Sequence, residues 1–110
     1  SPSSCNHVIS VSATGQNDNF SCWATAGETV DLCAPGEAIR TTDVGGGTES
    51  VWGTSFSAPI TAGAVALVWS RFPDAEQEWV EERMFVNWWG RECRLLWVWE
   101  RAVCDRGRGV

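Results

Sequence analysis

Gly53-Thr54-Ser55-Phe56-Ser57-Ala58-Pro59 runs directly into Ile60-Thr61-Ala62-Gly63-Ala64-Val65-Ala66-Leu67-Val68. The pattern places a serine where a loop turns into an apolar, small-residue segment, and it predicts a helix from Ser55 to Arg71. At a helix start the first amides have no intrahelical acceptor, so they favour an anion formed beside them. Pro59 sits four residues after Ser55 and lacks the amide that would bond the Ser55 carbonyl, which only the first turns of a helix tolerate. The segment is apolar all round, which predicts a buried helix. The alternative is that Thr54 and Ser55 are ordinary N-cap residues, a role Ser and Thr take at many helices.

Working outward, Val8-Ile9-Ser10-Val11-Ser12-Ala13 reads as a short β-branched strand ended by Gly15-Gln16-Asn17-Asp18-Asn19. Further strands are expected near residues 30–33 and 38–42, separated by Ala34-Pro35-Gly36. Val44-Gly45-Gly46-Gly47-Thr48-Glu49-Ser50 reads as a flexible loop, without the Gly-Lys-Ser/Thr ending of a phosphate-binding loop. A second helix is expected after Phe72-Pro73, with Asp74 as its cap and Glu76 and Glu78 facing the positive end of its dipole.

The order Gly-Thr-Ser, two small residues, Pro, then Ala62-Gly63 resembles the nucleophile signature of the subtilisin-like serine peptidases. Phe56 and Ser57 stand where that signature has Met and Ala. Phe20-Ser21 and Val30-Asp31-Leu32-Cys33-Ala34-Pro35-Gly36 are similar to two further elements of the family, in the same order. The resemblance implies an α/β fold, part of a subtilisin-like doubly wound parallel sheet, with a nucleophile serine, Ser55, at the start of a buried helix. It covers roughly residues 3–84, which divides the chain into a C-terminal portion of a peptidase domain (1–84) and a Trp/Arg-rich tail (85–110) unlike the family.

The same resemblance implies a serine endopeptidase acting through an acyl-enzyme on a polypeptide substrate. The family's catalytic Asp and His lie upstream of the part represented here. The single histidine, His7, is followed by Val8 and not by Gly-Thr, so it occupies no catalytic position of the family. A serine without a base in hydrogen-bond reach is a poor nucleophile, so the chain alone is expected to be inactive and to need the missing N-terminal part of the catalytic domain as partner. No cofactor is required for this chemistry. In some relatives the residue matching Asp31 belongs to a weak calcium site, so a structural calcium at Asp31 is one expectation. The other is a carboxylate that bonds the backbone of its own turn.

A net charge of −6 opposes binding to nucleic-acid phosphates. No signal peptide opens the chain; an extracellular or secreted location follows from the resemblance only. The five cysteines contain no Cys-x-x-Cys, and pairing among Cys5, Cys22 and Cys33 is conceivable in an exported protein, as is a role as small buried residues. Two other functions stay open: a non-catalytic protease-like interaction domain, and a membrane-active tail. The tail holds four of the eight tryptophans, and its Arg91, Arg94 and Arg101 share a helical face, which permits an interfacial segment. Membrane contact is the weaker expectation beside a tail that is simply aberrant.

Overall fold

The structure, a computed structural model, describes residues 5–16, 21, 24 and 30–87. Val11-Ser12-Ala13-Thr14 and Leu32-Cys33-Ala34-Pro35 are rich in small and β-branched side chains, and they form β1 (Val11–Thr14) and β2 (Leu32–Pro35). The two strands run parallel, with Val11 opposite Leu32 and Thr14 opposite Pro35. Parallel pairs are normally buried on both faces. Here Ser12, Ala13, Leu32, Cys33 and Ala34 are all buried, and Ala13 and Cys33 join Ala24 and Val30 in a small apolar cluster.

The expected loop over residues 44–50 is instead half of a hairpin. β3 (Ile39–Thr42) pairs antiparallel with β4 (Thr48–Val51). The turn between them is closed by the Asp43 amide donating to the Gly47 carbonyl at 3.1 Å and the Gly46 amide donating to the Asp43 carbonyl at 3.1 Å. The Asp43 carboxylate also accepts the Val44 amide, a local bond that Asp makes readily in turns. Gly46 and Gly47 hold φ of 94° and 79°, conformations that side chains with a Cβ rarely adopt, so the glycines make a tight turn and not a flexible tether.

α1 (Thr54–Arg71) follows, with Gly53 as its cap at φ 151°. It packs against both parallel strands and against α2 (Gln77–Asn87). The helix is not buried all round. Only Ser57 and Thr61 are buried, and Leu67 is 73 % exposed. The physical reason is geometric: two short strands cover one stripe of the helix, and α2 covers part of another, while the apolar composition would suit cover on every side. α1 ends at Phe72, whose φ of −128° and ψ of 68° leave the helical region ahead of Pro73, as the residue before a proline is disposed to do.

α2 begins later than Asp74. Its first helical bond runs from the Val80 amide to the Glu76 carbonyl at 3.2 Å, which makes Glu76 the cap and leaves Asp74 in the connecting turn. That turn is fixed by side chains: the Trp69 indole donates to the Ala75 carbonyl at 3.0 Å, and the Phe72 and Trp79 rings meet edge to face at 5.1 Å. Val80 and Met84 are the residues of α2 that are buried. Among the described residues, no helix is long and apolar enough to cross a membrane. The sequence boundary at Met84 falls inside α2, which takes in residues 85–87 of the Trp/Arg-rich tail; residues 88–110 of that tail lie outside the described residues.

Candidate active site

Thr54 and Ser55 are the first two residues of α1 and not its caps. The cap is Gly53, which has no side chain to satisfy a helix amide. The Phe56 amide is met by the Gly53 carbonyl at 3.1 Å. Ser55 is exposed, and among the described residues its hydroxyl has no assigned bond, so it is not consumed as a cap. Its neighbours at the helix start supply outward amides and the positive end of the dipole.

The backbone of this corner is set by contacts across the end of β2. The Gly53 amide donates to the Gly36 carbonyl at 2.8 Å, and the Ser57 hydroxyl donates to the Pro35 carbonyl at 3.0 Å. A Cβ on Gly36 would lie 2.6 Å from both the Ala13 Cβ and the Ser57 Oγ, so the close approach needs glycine there. The helix start therefore abuts the carboxyl end of a parallel strand, where open α/β sheets place their ligand sites. Immediately beyond, Glu37 accepts the Ser21 hydroxyl at 2.8 Å, joining Ser21 to the same strand end.

Asp31 is not part of this corner. It precedes β2 at the far end from Gly36, about 16 Å away at the rise of an extended chain. Its Oδ2 accepts the Ser10 amide at 2.9 Å, and its own amide donates to the Ser10 carbonyl at 2.9 Å. The carboxylate thus bonds the backbone of the adjacent chain segment. Among the described residues no group of three or more His, Cys, Asp and Glu side chains gathers.

His7 is also elsewhere. Its carbonyl accepts a long bond of 3.4 Å from the Gln77 amide side chain, and it borders a groove of about 340 Å³ with Val11, Thr61, Trp69 and Val80. That groove follows the middle of α1 and the start of α2. Sequence reasoning assigned Ser57 no role beyond standing where the signature has Ala. The available signal was position: residues two apart on a helix point about 200° apart, so a partner of an exposed Ser55 at Ser57 must face inward.

Cys33 is disulfide-bonded, with its partner outside the described residues. Of the two expectations for the cysteines, pairing and a small buried residue, Cys33 meets both, being bonded and 2 % exposed.

Comparison with known proteins gives the same assignment as the motifs. Residues 1–98 match the Subtilase family. A Subtilisin-like protease 1 from Arthroderma otae is 43 % identical over 68 residues, 62 % of this chain and 14 % of that protein. A Thermostable alkaline protease from Halalkalibacterium halodurans is 32 % identical over 83 residues, 76 % of this chain and 23 % of that protein. The Alkaline serine protease ver112 from Corniculantispora psalliotae is 41 % identical over 68 residues, 62 % of this chain and 18 % of that protein. The chain spans less than a quarter of the length of each of these relatives.

Proposed function

Since the chain belongs to the subtilase family of serine peptidases, we propose that it is the nucleophile-bearing part of a serine endopeptidase, with Ser55 as the nucleophile. The observation that carries this is the exposed Ser55 on the first turn of α1, beside a strand end that fixes the helix start. In the reaction, the Ser55 Oγ bonds to the carbonyl carbon of a polypeptide substrate and gives its proton to a base, which passes it to the departing amine. Water then cleaves the acyl-serine ester. The Ser55 amide is one donor to the oxyanion that forms in both steps.

The base and its orienting carboxylate come from chain outside these residues, because His7 lines a groove that does not include Ser55. The same outside chain supplies the rest of a doubly wound sheet, of which β1, β2 and α1 are one unit, and it covers the exposed face of α1. The chain alone is inactive, and its partners are that upstream part and the polypeptide substrate; it binds no nucleic acid and does not use its tail on membranes. An extracellular location agrees with a bonded Cys33, since such bonds persist in oxidising compartments. No cofactor enters the chemistry, and Asp31 is structural; calcium beside it is a separate proposal that titration tests.

The test uses a chromogenic peptide. Purified chain alone should give no hydrolysis above background, and addition of an upstream portion of a subtilisin-like catalytic domain should restore it. Ser55→Ala should abolish the restored activity. Turnover by the chain alone, or restored turnover that survives Ser55→Ala, overturns the assignment.

A further inference from the structure

No residue of β3 or β4 is buried. The bonds that close their turn join Asp43 to Val44, Gly46 and Gly47, and the Arg40 guanidinium donates to the Thr48 hydroxyl at 2.9 Å, so each has both partners inside the hairpin. A two-stranded hairpin without a buried face is marginally stable in water, and it opens locally while the rest of the chain stays folded. At its tip Val44 is 99 % exposed, and a Cβ added at Gly45, Gly46 or Gly47 would meet nothing within 4 Å. Exposed tips of small residues are where folded chains are nicked.

The base of the hairpin is held by other means. The Gly53 amide donates to the Gly36 carbonyl at 2.8 Å, and the Ser57 hydroxyl donates to the Pro35 carbonyl at 3.0 Å. Further along, the Gln77 side-chain amide donates to the His7 carbonyl at 3.4 Å. α1 packs on both β1 and β2, where Ala13, Leu32, Ala34, Ser57 and Thr61 are buried residues. None of these contacts uses residues 39–51, so severing the tip leaves them in place.

We propose that the Val44–Gly45 peptide bond is a processing site for an endopeptidase that accepts a small aliphatic side chain, and that the cut chain persists as a folded complex of its two pieces. Water adds to the Val44 carbonyl carbon and the Gly45 nitrogen leaves, so one piece ends in a carboxylate and the other begins with an ammonium group. Both new charges stay in solvent at the tip, where they carry no burial cost. The first piece holds β1 and β2, and the second holds Ser55 and α1. The corner at Gly36 is thereby divided between two chains without being dismantled, whatever reaction Ser55 serves.

Limited digestion of the 110-residue chain with pancreatic elastase, whose specificity pocket takes small side chains, tests the site when the products are read by mass spectrometry. The cut after Val44 should precede every cut within β1, β2 and α1. The pieces carrying β1–β2 and α1 should elute together on gel filtration without denaturant, with the helical circular dichroism of the uncut chain. Val44→Pro should lose this cut and keep the turn, because proline suits the second position of a β-turn. Cuts in β1, β2 or α1 as early as the one after Val44, in either protein, show that the whole chain opens and overturn the site. Pieces that part on native gel filtration, or that lose the helical signal, overturn the folded complex.

Discussion

Gly53 and Gly36 are joined by a 2.8 Å backbone hydrogen bond that closes the base of the β3–β4 hairpin, so the chain leaves β2 and returns to start α1 at the same point. The hairpin is therefore an excursion between two residues already in contact. The loop before the candidate nucleophile is held by its ends and not by its length.

Gly36→Ala should destabilise the protein by about 1–3 kcal/mol, the usual cost of forcing volume into a packed site. Its new Cβ would sit 2.6 Å from the Ala13 Cβ and the Ser57 Oγ and 3.1 Å from the Gly53 carbonyl. Gly45→Ala is the control, because a Cβ there meets nothing within 4 Å. Denaturant melts of both variants check this; equal midpoints would mean that β2 and α1 separate without cost.

Asp31→Ala should cost about 1–2 kcal/mol, because the Ser10 amide loses its carboxylate acceptor. Asp31→Asn, which keeps an acceptor oxygen, should cost less. Thermal melts rank the three proteins. Calorimetric titration of the folded wild type with calcium belongs to the same experiment: heat together with a raised melting temperature establishes a cation at Asp31, and no heat removes it.

Reduction of the protein under native conditions should lower its melting temperature by several degrees. Cys33 is 2 % exposed in the middle of β2 and is disulfide-bonded. Loss of such a link typically costs about 2–4 kcal/mol. Melting with and without reductant measures it, and coincident curves would show that the bond contributes nothing to the fold.

Truncation after Asn87 should leave the melting temperature unchanged and improve solubility, since α2 buries Val80 and Met84 without the residues that follow. Truncation after Met84 removes the last turn of α2 and should be the more harmful of the two. A fall in melting temperature on removing residues 88–110 alone would assign those residues to the core.

The elements legible in the sequence are those whose residues announce their own geometry. Ala34-Pro35-Gly36 ends a strand, Gly53 begins a helix, and Phe72-Pro73 stops it; each is a backbone constraint that no neighbour needs to supply. β4 was not legible because Thr48, Glu49 and Ser50 are all exposed, and a strand that buries neither face has no alternation to betray it. The start of α2 was misplaced because Asp74 has the stronger capping preference, whereas the turn is decided by Trp69 bonding Ala75. The role of Ser57 was hidden for another reason: its partner, Pro35, is 22 residues away, and only the fold brings the two together.

The exposed apolar face of α1 has a thermodynamic consequence. Leu67 is 73 % exposed and Ile60 and Trp69 are each more than a third exposed while the helix is folded, so unfolding adds less new apolar hydration here than for a fully covered helix. The heat capacity of unfolding comes mainly from newly hydrated apolar surface. For this chain it should fall below the roughly 12–15 cal/mol/K per residue of ordinary domains, giving a stability curve that is unusually flat in temperature. If the upstream part proposed above is the partner, its binding should dry that face and return the missing heat capacity as a large negative change.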